Sequence, residues 1–321
     1  MELRRAAAQF VRDRPYLWDA LHPPYDWVRQ QIRDARIKRL FSDRLAPNDE
    51  SAQALLSDAI ARGGPAGIGK IGGLEGEAAG FYLGPRKRGE SYPNRLRAQM
   101  SLNVGLFPVD DASLDRFCAA LIEAASQLDI MGVMGYTGEP DVLLNHATHA
   151  RLISLKALDP WYFDAPWSRQ LAGKRVTVVS PFARTIATQY QRRAEIWPGR
   201  DVLPEFQLRT VSMPLSPGLV KPEEANWEER LERVKTAVEA EPYDVLLVGA
   251  GGISLLLAAH AKQTGRVGFH MGGPTQVLFG IRGRRWDNEE FFQKAMTPAW
   301  TRPSGEEAPP AAQQIERGCY W

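Results

Sequence analysis

The sequence predicts an α/β fold of the Rossmann-like kind, with a mostly parallel sheet flanked by helices and a helical N-terminal extension. Three stretches carry that prediction. Tyr243 to His270 reads as a βαβ unit: an apolar run, Asp244-Val-Leu-Leu-Val248, then a Gly-Ala-Gly-Gly turn, a Leu/Ala-rich helix, and a second strand from Arg266 to His270. A strand, helix and strand in about thirty residues require a crossover, so the two strands are parallel. Lys174 to Ser180 is a β-branched strand running through Pro181-Phe182 into a helix, and Ala66 to Ile71 is a strand running through Gly72-Gly73 into another.

The elements follow in order. Residues 1–62 read as a helical extension. Tyr25 to Phe41 repeats its apolar residues at helical spacing with a basic remainder, and Ser51 to Arg62 is a second amphipathic helix ended by Gly63-Gly64-Pro65. Residues 63–297 form the α/β domain. Besides the three stretches above, it contains a helix from Ser113 to Gln127, a buried strand from Asp129 to Met134, and an alternating strand from Phe206 to Ser212. From 298 to 321 a Pro-, Ala- and Glu-rich arm ends in Cys319-Tyr320-Trp321, whose aromatic residues are expected to pack back on the domain.

Composition narrows the function classes. A formal net charge of +2 forces neither a nucleic-acid nor a membrane partner. The two cysteines, Cys118 and Cys319, make no disulfide framework and no metal-ligand cluster, so a reducing, cytoplasmic setting is expected. No stretch approaches the roughly 18 apolar residues of a membrane span, and the basic start at Met1 to Arg5 has no apolar run behind it. The N-terminal helices could serve as a homodimer surface or as a cover for the sheet.

The candidate chemistry sits where strands run into glycine turns. Gly249, Gly251 and Gly252 follow a buried strand and precede a helix. Such a turn brings backbone N–H groups and a helix N-terminus to an anion, which suits a phosphate or diphosphate; the plain alternative is a turn that lets helix and strand pack. The spacing departs from G-x-G-x-x-G, and the next strand ends in Phe269-His270-Met271 with no acid for a ribose, so NAD is not expected. Gly272, Gly273 and Gln276 form a second such turn directly after His270, which is a base, a phosphate donor or a structural histidine. Arg285 is a guanidinium that could reach the same anion, whereas Arg284 reads as solvated. The third turn carries Lys70 and Gly72, then Glu75 and Glu77. The acids could bind a divalent metal or act as general base, or simply complement the helix dipole. Asn103 to Pro108 is a loop expected near the same face, with Tyr92, Asn94 and Arg95 upstream. His146 and His149, three apart on an expected helix, have no evident third ligand.

Several of these segments resemble an uncharacterised bacterial family from polysaccharide-biosynthesis regions. The resemblance rests on Ile68 to Glu75, Asn103 to Pro108, Gly249 to Gly252, and His270 to Gln276 on to Arg285-Trp286-Asp287. The closing Trp300 to Pro303 and Cys319 to Trp321 belong to it too, so it covers roughly Gly67 to Trp321. More distantly, the strand–glycine–acid turn and the late βαβ unit resemble GT-D type bacterial glycosyltransferases. That resemblance implies a nucleoside-diphosphate sugar donor, a polysaccharide or glycoconjugate acceptor, and an Asp-x-Glu motif linked to Mn2+ or Mg2+. This chain departs from the motif. One alignment puts Gly73 at the Asp and keeps Glu75; the other reads Glu75-Gly76-Glu77 as Glu-x-Glu. The resemblance gives Glu75, Glu77 and His270 catalytic roles, with Glu75 and Glu77 also as metal ligands. It gives Lys70, Gly72, Gly249, Gly251, Gly252, Gly272, Gly273, Gln276 and Arg285 to the donor. A non-catalytic partner of an envelope-polysaccharide assembly, or another nucleotide-dependent transferase or hydrolase, remains the alternative.

Overall fold

The structure, a computed structural model, describes residues 30–213, 221–310 and 312–321. The chain divides into two compact units, Met1–Asp43 and Arg44–Trp321. In the first, 30–41 is helical; the rest of the expected extension before residue 30 lies outside the described residues. The second unit holds the whole sheet. It also holds α1 (Asp49–Ala61), so the α/β body begins at Arg44 and includes the helix assigned from sequence to the extension. Asn48 caps α1 by accepting a hydrogen bond from the Ser51 N–H at 2.8 Å.

Seven strands form one sheet in which every pairing is parallel. They are β1 (Ala66–Gly69), β2 (Ile130–Val133), β3 (Arg151–Ser154), β4 (Arg175–Ser180), β5 (Gln207–Ser212), β6 (Val245–Val248) and β7 (Val267–His270). Their order across the sheet is β3-β2-β1-β7-β6-β4-β5. The expected α/β, Rossmann-like fold is therefore present, and the sheet is parallel throughout rather than mostly so.

Alternation along the strands separates two apolar layers. Ile68, Ile130, Ile153, Val176, Val178, Val245, Leu247, Val267 and Phe269 face one layer with Leu56 and Ile60 of α1, Trp161, Trp167, and Ile186 of α6 (Ala183–Tyr190). The other face carries α2 (Gly73–Leu83), α4 (Asp111–Gln127), α7 (Trp227–Glu239) and α8 (Ser254–Gln263). Between them in sequence lie α3 (Asn94–Gln99) and α5 (Glu139–Asn145). On this second face β1 and β7 present glycines. Gly268 lies so close under α8 that a Cβ there would collide with the backbone carbonyl of Ala258, while at Gly69 it would come 2.9 Å from Leu255 Cδ1. The helix thus settles directly on β7 and β1, and the absence of side chains there permits the approach.

β1 and β7 are neighbours whose chains leave in opposite directions. From β1 the chain enters α2 on the second face; from β7 it enters α9 (Pro274–Leu278), whose Val277 and Leu278 join the first apolar layer. Divergence of adjacent parallel strands in this way opens a crevice at their carboxyl ends.

Candidate functional site

The crevice is a cleft of about 500 Å³ at the carboxyl edge of β1, β7, β6 and β4. Lys70, Gly72, Glu75, Gly249, Gly251, His270, Gly272, Gly273, Gln276 and Arg285 all line it. Two of the residues given catalytic or donor roles from sequence do not. Gly252 is buried beneath Val104 and Leu106, and Glu77 turns to an ion pair with Arg95.

Lys70 leaves β1 and reaches towards the second turn: a Cβ placed on Gly272 would sit 3.3 Å from its Nζ. It has no ion pair within 4 Å among the described residues. Its charge is nonetheless felt by four groups. It favours the ionised forms of Glu75, Glu139 and Asp159, and it disfavours protonation of His270. Like charge repels and opposite charge attracts across a poorly solvated space, which marks Lys70 as the electrostatic centre of the cleft.

Glu75 folds its carboxylate back over Gly72, the N-cap of α2, where any side chain would overlap it. Burial raises its pKa above the usual carboxylate range, and Lys70 opposes the shift. Glu77, two residues on, points elsewhere, as residues two apart on a helix must. The Glu-x-Glu pair is therefore not brought together. Among the described residues, no three His, Cys, Asp or Glu groups are arranged to hold a metal ion. Glu75 and Glu77 do not fit a shared divalent cation.

His270 ends β7 with 5% of its surface exposed. Its Nδ1 lies 3.4 Å from the Val248 carbonyl, and burial, then Lys70, push its pKa down to about 3. The imidazole is neutral at physiological pH. It cannot supply positive charge to a phosphate; it offers a ring nitrogen to a hydrogen bond.

The glycines of the turn after β6 have partners within the protein. Gly251 has φ +64, and a Cβ on it would come 2.7 Å from the Val104 carbonyl; one on Gly249 would come 2.6 Å from the Gly272 carbonyl and the Thr275 hydroxyl. The Asn103-Val104 segment and the Gly272 turn close in on this loop. Ser254 ties it from below, accepting from the Ala250 N–H at 2.9 Å and donating to the Gly251 carbonyl at 2.7 Å. These glycines shape the floor of the cleft by close packing.

Four residues that sequence reasoning did not single out complete the site. Asp159 lies between two short 3-10 turns; its carboxylate takes no hydrogen bond from the described residues, and burial raises its pKa to about 7, opposed by Lys70. Glu139 opens α5 beneath the wall, 2% exposed, and accepts hydrogen bonds from the backbone of Met134 (3.0 Å) and Gly135 (2.5 Å). It holds the loop that sets Met134 and Tyr136 on the cleft wall; burial pushes its own pKa up to about 7. Ser180 ends β4. Glu316, in the C-terminal arm, pairs with Arg285 at 2.6 Å and takes an N–H···Oδ1 bond to Asn103 at 3.2 Å. Ser180 had a signal, the carboxyl end of a strong strand. Asp159, Glu139 and Glu316 had none beyond their residue type.

Other candidates lie away from the cleft. Tyr92 is buried, with its hydroxyl donating to Asp115 at 3.1 Å. His146 and His149 fall beyond the end of α5 and are exposed, so they share no helix face. Arg284 bonds Gln313 on the surface.

Comparison with protein-family models, with curated proteins and with solved structures finds no match to this chain. What the chain defines by itself is an α/β protein with a parallel, doubly covered sheet and a charged cleft at its switch point. Among the described residues, no helix is long and apolar enough to cross a membrane.

Proposed function

We propose that the cleft belongs to a glycosyltransferase that takes a nucleoside-diphosphate sugar as donor and a saccharide as acceptor. One observation carries the reading: Lys70, with no ion pair among the described residues, shares the switch-point cleft with two carboxyls, Glu75 and Asp159, both with raised pKa. The resemblance of the turns to GT-D type enzymes supports it as analogy, which fold alone cannot turn into function. A cleft of about 500 Å³ is of the size that small-molecule ligands occupy.

In this reading Lys70 and Arg285 face the diphosphate. The acceptor hydroxyl gives its proton to Asp159, whose pKa of about 7 suits a general base. The acceptor oxygen bonds to the anomeric carbon, the bond from that carbon to the diphosphate oxygen breaks, and the electron pair leaves with the diphosphate. Lys70 and Arg285 meet the negative charge as it grows there. The Lys70 charge favours the ionised form of Glu75, and His270 contributes a neutral hydrogen bond. A cytoplasmic location accords with this reading, since the two cysteines are unbridged.

The test is release of nucleoside diphosphate from a panel of nucleotide sugars. Release from one donor is expected, reduced at least about 100-fold in Asp159→Asn, the scale of a lost general base. Lys70→Ala should lower it as well. No release from any donor, or release indifferent to both substitutions, overturns the proposal.

A further inference from the structure

We infer that the β4 side of the cleft is a hydroxyl-recognition subsite, built from Ser180, Thr275 and Gln276, that takes a neutral polyhydroxylated ring rather than a phosphate. The inference deepens the proposed function and rests on it for the identity of the whole ligand. The chemistry of the subsite stands on separate observations.

Backbone pairing brings the three residues together. Ser180 follows Val179, whose carbonyl accepts the Gly249 N–H at 2.9 Å; Gly272 N–H bonds Val248 at 3.1 Å; and Thr275 packs against Gly249. All three side chains are 1% exposed, and all three residues line the cleft.

Gln276 donates both protons of its amide nitrogen inwards, to the carbonyls of Ile281 at 3.2 Å and Tyr320 at 3.1 Å. Carbonyls only accept, so they fix which end of the amide is nitrogen. Its Oε1 is then left as a buried acceptor with no donor among the described residues. The Thr275 hydroxyl oxygen is likewise buried without a partner. Ser180 Oγ accepts from the Phe182 N–H at 3.1 Å, which leaves its own proton to give. Buried polar atoms left without a hydrogen-bond partner are costly, and native structures rarely leave them so.

The set is one pure acceptor and two hydroxyls, all uncharged. A phosphate is also a pure acceptor and would repel Gln276 Oε1. Gln276 therefore does not belong to the diphosphate site that its position after Gly272-Gly273 suggested. A sugar hydroxyl both donates and accepts, and it satisfies all three. Phe182 and Tyr320 line the same part of the cleft and offer apolar faces to a ring.

Thr275→Val tests the subsite, because it removes the hydroxyl and keeps the shape. The melting temperature is expected to stay level or rise; a clear fall would mean that the hydroxyl is satisfied inside the protein, and would overturn the inference. Titration calorimetry with whichever of UDP-, GDP-, CDP- or dTDP-glucose binds should show affinity weakened about ten-fold, with the matching nucleoside diphosphate unaffected. Equal weakening of both also overturns the subsite. If no nucleotide sugar binds the wild-type protein, the proposed function fails, and the subsite is probed alone by saturation-transfer NMR with methyl glucoside. Transfer to the sugar in the wild type, lost in Thr275→Val, sustains the inference. No transfer in the wild type ends it.

Discussion

Asp159 and His270 carry opposite pH signatures that a stability profile can separate. Burial lifts Asp159 from 3.8 to about 7, so the native state keeps a proton that the unfolded chain has released. Its contribution to stability therefore falls as pH rises from about 4 to about 7, and the cost is complete above that. His270 is lowered from 6.5 to about 3, so the unfolded chain takes up a proton that the native state refuses. Its contribution is lost as pH falls from about 6.5 towards 3. Asp159→Asn should gain melting temperature relative to wild type progressively from pH 4 to pH 8. His270→Asn should flatten the acid limb. Profiles that run parallel to wild type would contradict these environments. Glu77 offers a contrast, since its pairing with Arg95 is part-exposed. Glu77→Gln should shift stability by no more than about 1 kcal/mol in urea unfolding and leave ligand binding unchanged, whereas Glu75→Gln should alter binding.

At the scale of elements, the strands that feed the site were readable because each is an apolar run ended by a turn, of glycines after β1, β6 and β7 and of Pro181-Phe182 after β4. β1, β4, β6 and β7 all fall inside the stretches read from sequence as strands. β3 (Arg151–Ser154) was not readable: four residues with only the middle two buried give too short a pattern to register. The turns were legible as turns, but their purpose was not. Gly251 and Gly249 admit Val104, Gly272 and Thr275, contacts that come from distant parts of the chain. The same close packing makes β7 sensitive. Gly268→Ala would drive a methyl group into the α8 backbone at Ala258, and a loss of about 2 kcal/mol or more is expected in urea unfolding, as for other overpacked cores. Little or no loss would mean that α8 sits higher above the sheet.

At the scale of the whole molecule, the cleft is assembled from the two ends of the α/β body. Lys70 and Glu75 come from its first strand and turn. Glu316 and Tyr320 come from the arm, through contacts no sequence pattern announces. Glu316 and Arg317 have φ +44 and +60, a left-handed backbone that is uncommon for residues other than glycine. Glu316 sits there with its carboxylate on Arg285 and its N–H on Asn103. An incoming phosphate competes with that carboxylate for the guanidinium. Glu316→Gln should therefore raise the affinity for a nucleoside diphosphate several-fold by calorimetry; a fall would show that Glu316 serves instead to hold Arg285 in position.

The proposed function requires the switch-point cleft to bind a nucleoside-diphosphate sugar around Lys70. Thermal unfolding against a panel of nucleotides and nucleotide sugars, with and without manganese, tests it most directly, because a ligand that prefers the native state must raise the melting temperature. A rise with one nucleoside diphosphate and its sugar is expected, diminished in Lys70→Ala and unchanged in Glu77→Gln. No rise with any member of the panel, or a rise that Lys70→Ala leaves intact, would contradict it.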